Sequence, residues 1–206
     1  MARVSQEHLD ARRRQILDGA ARCFSRNGFH ATSMQDVLGE VGLSAGAVYR
    51  YFRSKEELIE AIAGETFAGV RAAFDEAART TPPPLPDVLI ARVLRGVFER
   101  QNPGIDGQMF ARLIVQVWTE TLRNERLARF LQDSYTGLRL AWARLADAYR
   151  ESGAMADDVS GDDLARTLIA TAQGFIAQHA LFGGMKVEVM EDGVRGLMSM
   201  RRPEAG

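Results

Sequence analysis

Val41-Gly42-Leu43-Ser44-Ala45-Gly46-Ala47-Val48-Tyr49-Arg50-Tyr51-Phe52-Arg53-Ser54-Lys55-Glu56-Glu57-Leu58 is the stretch that decides the reading of this 206-residue chain. Gly42 permits a sharp turn after a short helix over about Met34–Val41, because glycine enters the left-handed region at no steric cost. Ser44 caps a second short helix over about Ala45–Phe52. Two short helices joined through Val41–Ser44 make a helix-turn-helix pattern. Val37 and Leu38 before the turn, with Leu43 and Val48 after it, supply the apolar contacts that fix the pair. The second helix is then presented outward. Ser44, Ala45, Gly46 and Ala47 are small enough to let a helix enter the major groove of DNA closely. Tyr49, Arg50 and Tyr51 follow with two hydroxyls and a guanidinium, suited to phosphates or base edges. Lys55 offers a charge to a further phosphate.

Outward from this stretch the chain reads as helix almost throughout. Apolar residues recur at the helical period, and no long alternation of β-branched residues marks a strand. A first helix runs from about Leu9 to Asn27, with Ile16, Leu17, Ala20 and Phe24 on its apolar face and Gly28 at its end. Thr32 and Ser33 are good caps for the second. Ser54 with Glu57 makes a capping box for a long fourth helix reaching about Arg79, striped by Leu58, Ile62, Phe67, Val70 and Phe74. Prolines between Thr80 and Pro86 stop it. Further helices are expected over roughly Asp87–Gln101, Gln108–Arg123, Leu127–Ser152, Asp162–Phe182 and Glu188–Met200. The breaks fall at Asn102-Pro103-Gly104, Arg123-Asn124, Ser152-Gly153 and Gly183-Gly184. The expected fold is all-α, with about nine helices in two parts. A helix-turn-helix module occupies residues 9–56, and the fourth helix links it to a second helical domain over residues 80–206.

Charge follows the same division. Residues 1–55 hold nine Arg and Lys against five acids, a net of +4 that includes Arg3 and the run Arg12-Arg13-Arg14. The other 151 residues carry 17 basic and 22 acidic groups, a net of −5. A basic module on an acidic body is the electrostatic footprint of a nucleic-acid binder. Arg12, Arg13 and Arg14 fit either a solvated helix face or contacts across a DNA backbone. Cys23, the single cysteine, lies beside Phe24 in an apolar stretch and reads as core. No disulfide can form within the chain, in keeping with a reducing compartment. No stretch has the apolar length of a membrane span, and the N-terminus lacks the apolar segment of a secretory signal. The expected location is the cytoplasm, with no membrane partner.

The run Gly28-Phe29-His30-Ala31-Thr32-Ser33-Met34-Gln35-Asp36-Val37, followed by Gly-x-x-Tyr-x-x-Phe-x-x-Lys-x-x-Leu from Gly46 to Leu58, closely resembles the TetR family of transcription regulators. The resemblance is strong over residues 9–70. Trp118-Thr119-Glu120-Thr121-Leu122-Arg123-Asn124-Glu125 is similar to a stretch common in that family's sixth helix. It implies that Thr32 and Ser33 meet phosphate, that Ser44, Ala45, Gly46 and Ala47 face the major groove, and that Tyr49 and Lys55 bind backbone phosphates. Tyr51 stands where the family often has histidine. Ala45 stands where it often has lysine or arginine, and Ala47 where it often has threonine. Those departures leave Arg50 as the main candidate for direct base reading, with the alanine methyls against thymine methyls.

The resemblance further implies a two-fold homodimer built from the last two helices and a palindromic double-stranded operator. Leu164, Leu168, Thr171, Ala172, Phe175, His179 and Phe182 lie near one another on one helix face and are candidates for that interface; monomer core is the other reading. A small-molecule effector is expected in the second domain. Phe98, Met109, Phe110, Leu113, Val117, Trp118, Trp142, Tyr149, Phe175 and His179 are candidates to line an adaptable, mostly apolar or aromatic pocket, or to be plain core. Two recognition helices reach successive major grooves only at a spacing of about 34–36 Å. An effector that favours another spacing releases the operator.

No metal-ligand spacing, phosphate-cradling glycine loop or nucleophile elbow is present, so neither a catalytic site nor a metal or other cofactor is expected. A helical ligand-binding or adapter protein without operator binding is the alternative.

Overall fold

The computed structural model describes residues 6–99 and 104–200, and these are helical with no strand among them. The helices are α1 (Gln6–Asn27), α2 (Met34–Val41), α3 (Ala45–Tyr49), α4 (Lys55–Ala77), α5 (Pro86–Phe98), α6 (Gly107–Glu120), α7 (Glu125–Glu151), α8 (Gly161–Phe182) and α9 (Val187–Ser199). Most boundaries fall within a few residues of those the caps and breaks predict. Arg3, the helix end expected at Gln101 and the break at Asn102-Pro103 lie outside the described residues.

The chain divides into two units, one formed by Met1–Phe67 with Arg100–Leu131, the other by Ala68–Glu99 with Gln132–Gly206. The boundary departs from a division near residue 80: α6 belongs with the N-terminal helices. In the first unit α1 packs against both α2 and α6. Ile16, Leu17, Ala20 and Phe24 of α1, Val37 and Val41 of α2, Val48 of α3 and Leu58, Ile59 and Ile62 of α4 are buried there. So are Phe110, Leu113 and Val117, the apolar stripe of α6. The second unit closes around Phe74, Leu89, Leu94, Trp142, Leu145, Tyr149, Leu168, Phe175, Met190 and Val194. Here α5 packs against α8 and α9. Phe74 meets Trp142 edge-on at 4.9 Å between ring centres.

These packings divide two sets of residues that the sequence grouped together. The ten pocket candidates are not gathered in one unit: Met109, Phe110, Leu113, Val117 and Trp118 lie on α6 in the first, and Phe98, Trp142, Tyr149, Phe175 and His179 lie in the second. Helical period identifies an apolar face, but not the neighbour that covers it. The dimer stripe divides in the same way between core and surface. Leu168 and Phe175 are buried in the core of the second unit, and Leu164 packs against that core. His179 lies beside Phe98 and Phe175, with ring centres 5.0 and 6.3 Å away. Thr171 and Ala172 are half-buried, and Phe182 alone of the seven stands clear, 78% exposed.

Candidate nucleic-acid interface

The helix-turn-helix is set by three local caps. Ser33 closes the start of α2 through a reciprocal box: its Oγ accepts from the Asp36 N–H at 3.2 Å, and the Asp36 carboxylate accepts from the Ser33 N–H at 2.7 Å. The Ser33 hydroxyl also donates to that carboxylate at 2.7 Å. These bonds hold the Asp36 carboxyl below its ordinary range. Gly42 ends α2 with φ of +64°, a left-handed turn that favours glycine. Ser44 opens α3 by accepting from the Ala47 N–H at 3.3 Å.

The third helix is shorter than the sequence suggests. It ends at Tyr49, and the N–H groups of Tyr51 and Phe52 both turn back to the Val48 carbonyl, at 2.9 and 3.0 Å. Val48 and Phe52 are buried and anchor this segment. Ser44, Ala45, Gly46, Tyr49 and Arg50 are exposed, while Ala47 and Tyr51 are half-buried. The outward surface is therefore a small-residue helix followed by a phenol and a guanidinium.

The box expected at α4 is displaced by one residue. Ser54 accepts from the Glu57 N–H at 3.3 Å, but the Glu57 carboxylate accepts from the N–H of Arg53 at 2.7 Å rather than from Ser54. Between this helix start and that of α2 lies an open cleft of about 450 Å³, lined by His30 to Met34 and Arg53 to Glu56.

Two residues assigned to phosphate are used internally. Thr32 is 1% exposed, and its hydroxyl donates to the Gly28 carbonyl at 2.7 Å, with the Cys23 carbonyl 3.3 Å away. A buried hydroxyl so engaged does not reach phosphate. The Lys55 ammonium sits among the carbonyls of Phe29, His30 and Thr32, at 3.1, 3.5 and 3.3 Å. It also lies over the Phe29 ring. The arginine run divides as well. Arg13 pairs with Glu65 at 2.6 Å and covers Phe52, while Arg12 donates to Gln15 at 2.8 Å.

Behind this face α1 and α2 are held by charge and by close approach. Glu40 accepts from Arg22 at 2.6 Å and from Arg26, and these two guanidinium bonds lower its carboxyl pKa. Cys23 is buried with its Sγ 3.7 Å from the Asp36 carbonyl, and burial raises its thiol pKa. Sequence reasoning missed Gln116 of α6. Its amide oxygen accepts from the Phe29 N–H at 2.9 Å, and its nitrogen donates to the Phe24 carbonyl at 3.3 Å. A polar residue inside the apolar stripe Leu113–Val117 was the available signal.

Comparison with known proteins agrees with this geometry. Residues 16–62 match the family of bacterial regulatory proteins of TetR type. Residues 90–198 match the C-terminal region of BetI-type transcriptional repressors. The regulator UidR of Escherichia coli K12 is 28% identical over 174 residues, covering 84% of this chain and 83% of that one. The repressor Rv1474c of Mycobacterium tuberculosis is 46% identical over 65 residues; the match spans 32% of this chain and only 35% of that repressor's length. The solved structure of Salmonella enterica GusR superposes with a TM-score of 0.73 at 25% identity, covering 97% of this chain and all of GusR. With more than half of its length matched by the repressor model alone, the chain belongs to the TetR family of bacterial regulatory proteins.

Proposed function

We propose that this chain is a transcriptional repressor that grips a palindromic operator as a homodimer and releases it on binding a small effector. The family is one of transcription regulators, not enzymes. The observation that carries the reading is the outward face of α3, where Ala45 and Gly46 are exposed beside Tyr49 and Arg50 on a segment pinned by Val48 and Phe52. Such a surface enters a major groove without steric cost and brings one guanidinium to base edges. In this reading Ser44, Ala45, Gly46 and Ala47 face the groove, Arg50 reads a base, Tyr49 meets a phosphate and Tyr51 flanks them. Ser33, the exposed cap of α2, lies against the DNA backbone in the same reading.

Dimerisation is supported by apolar exposure at the end of α8 and along α9, which shares Phe182 with the stripe the sequence singled out. Leu181, Phe182, Val189, Leu197 and Met200 are 60% or more exposed. Gly193 and Gly196 of α9 leave open space around them for a close partner helix. Apolar exposure of this kind marks an interaction surface. For the effector, the second unit offers His179, whose Nδ1 is buried with no hydrogen-bond partner among the described residues, beside Phe98 and Phe175. An apolar or aromatic molecule with one polar group fits that chemistry. No helix among the described residues is long and apolar enough to cross a membrane. The proposed place of action is the cytoplasm, where operator DNA is accessible.

Selection of bound duplexes from a random pool tests the reading. A two-fold symmetric site, bound by two chains with affinity falling steeply as salt rises, is expected. Failure to bind any duplex at low ionic strength overturns it.

A further inference from the structure

The loop between α1 and α2 sets where α2 begins, and it is held from outside the helix-turn-helix. Phe29 sits at its centre, 4% exposed, with its ring 5.3 Å from that of Phe24. Its backbone carbonyl is taken by Lys55 of α4 at 3.1 Å. Its backbone N–H is taken by the Gln116 amide of α6 at 2.9 Å, across 87 residues of chain. The other end of the same amide reaches the Phe24 carbonyl in the last turn of α1, at 3.3 Å. One turn further along α6, the Glu120 carboxylate lies 3.1 Å from His30 Nε2. Two successive turns of α6 therefore grip two successive loop residues. Position along α2 is transmitted to α3, because the two are joined only by the turn through Gly42 and are packed on the same core.

We infer that Gln116 is a positioning residue for operator recognition: it fixes the α1–α2 loop, and through α2 the stance of α3, without touching DNA. The inference rests on α3 being the reading helix. The amide is required for a physical reason. A buried N–H left without an acceptor is costly, so the loop shifts to find one when the side chain cannot accept. The site loses its register while the basic surface that attracts any duplex remains. Non-specific and specific binding thus respond differently.

The test compares wild type, Gln116→Met and Gln116→Glu on the duplex recovered from the random pool and on a scrambled duplex of equal length and composition. Methionine keeps the volume and removes both hydrogen bonds. Glutamate keeps an acceptor for Phe29. Gln116→Met is expected to lower affinity for the selected duplex about tenfold, because the shifted loop must give up its new acceptor to return α2 and α3 to the binding stance. Scrambled-duplex affinity at low salt stays unchanged. Exchange of the Phe29 amide hydrogen speeds up in Gln116→Met, and Gln116→Glu, which still accepts from Phe29 but cannot donate to the Phe24 carbonyl, recovers slow exchange and duplex preference in part. If Gln116→Met keeps wild-type preference, or loses affinity for both duplexes in step with its melting temperature, Gln116 is only a packing residue. A wild-type chain that prefers no duplex overturns the DNA reading itself, and this inference falls with it.

Discussion

The Lys55 ammonium lies 3.1 Å from the carbonyl oxygen of Phe29 and 4.6 Å from the centre of its ring. A cation in that position does two things. It donates hydrogen bonds to loop carbonyls, and it gains from the face of the aromatic ring. A lysine devoted to phosphate would instead extend into solvent. Lys55→Met should therefore lower stability by about 1–3 kcal/mol, as for loss of a charged hydrogen-bond donor. Urea unfolding measures this directly. The slope of log affinity against log salt should fall by less than the ~0.9 expected for one lost phosphate contact. A full loss of slope with an unchanged unfolding midpoint would return Lys55 to the phosphate role.

Arg50 gives the opposite pattern. It is exposed at the end of α3, and the turn that follows is closed by the Val48 carbonyl rather than by its side chain. Arg50→Ala should leave the melting temperature unchanged. It should cost about 1–3 kcal/mol of discrimination at one base position in each half-site. Selection from a random pool with the variant reads this as a relaxed position flanked by unchanged ones.

The contrast between these residues shows how much was legible in the sequence. Short-range rules were sufficient for helix ends: Ser33, Ser44 and Gly42 act within four residues of themselves, and each occupies the cap expected of it. The small, polar face of α3 was likewise readable from Ser44 to Arg50. What failed was assignment of partners across long separations. Thr32 and Lys55 are polar residues near a DNA-facing loop, yet their bonds go to carbonyls of that loop. Leu168 and Phe175 make an apolar stripe, yet the stripe closes the core of its own unit. Gln116 meets Phe29 only because α6 packs against α1, a pairing that periodicity does not encode.

Acid should loosen the contact between α1 and α2. The Glu40 carboxyl is held below its ordinary pKa by hydrogen bonds from Arg22 and Arg26. A carboxyl depressed in the folded state stabilises fully above its unfolded value, about 4.3 for glutamate. That contribution is lost as pH falls through the lower, folded value. Glu40→Gln should accordingly reduce the melting temperature at neutral pH and have little effect in strong acid. Thermal melts between about pH 2.5 and 7 should give a flatter acid limb for the variant than for wild type. Parallel curves would mean that the arginine pairs contribute nothing to stability.

Gly19 sets two physical rules against each other. It is a buried residue within α1, where alanine is the better helix former by about 1 kcal/mol. Propensity alone predicts that Gly19→Ala stabilises the chain. A Cβ at this position would, however, stand 2.2 Å from Cγ1 of Val41, far inside contact distance. Val41 is the last residue of α2 and is itself buried, so the clash forces α2 away from α1 rather than moving a free side-chain end. Overpacking of this kind costs about 1–3 kcal/mol, which outweighs the gain in propensity. Gly19→Ala should therefore be destabilising, and it should weaken operator binding because α3 follows directly from α2. Val41→Ala removes the clashing methyl. The double variant should then be more stable than additivity of the two single changes allows, by at least about 0.5 kcal/mol. Additive behaviour would mean that the two helices do not meet at this point, and that glycine is placed here for some reason other than close approach.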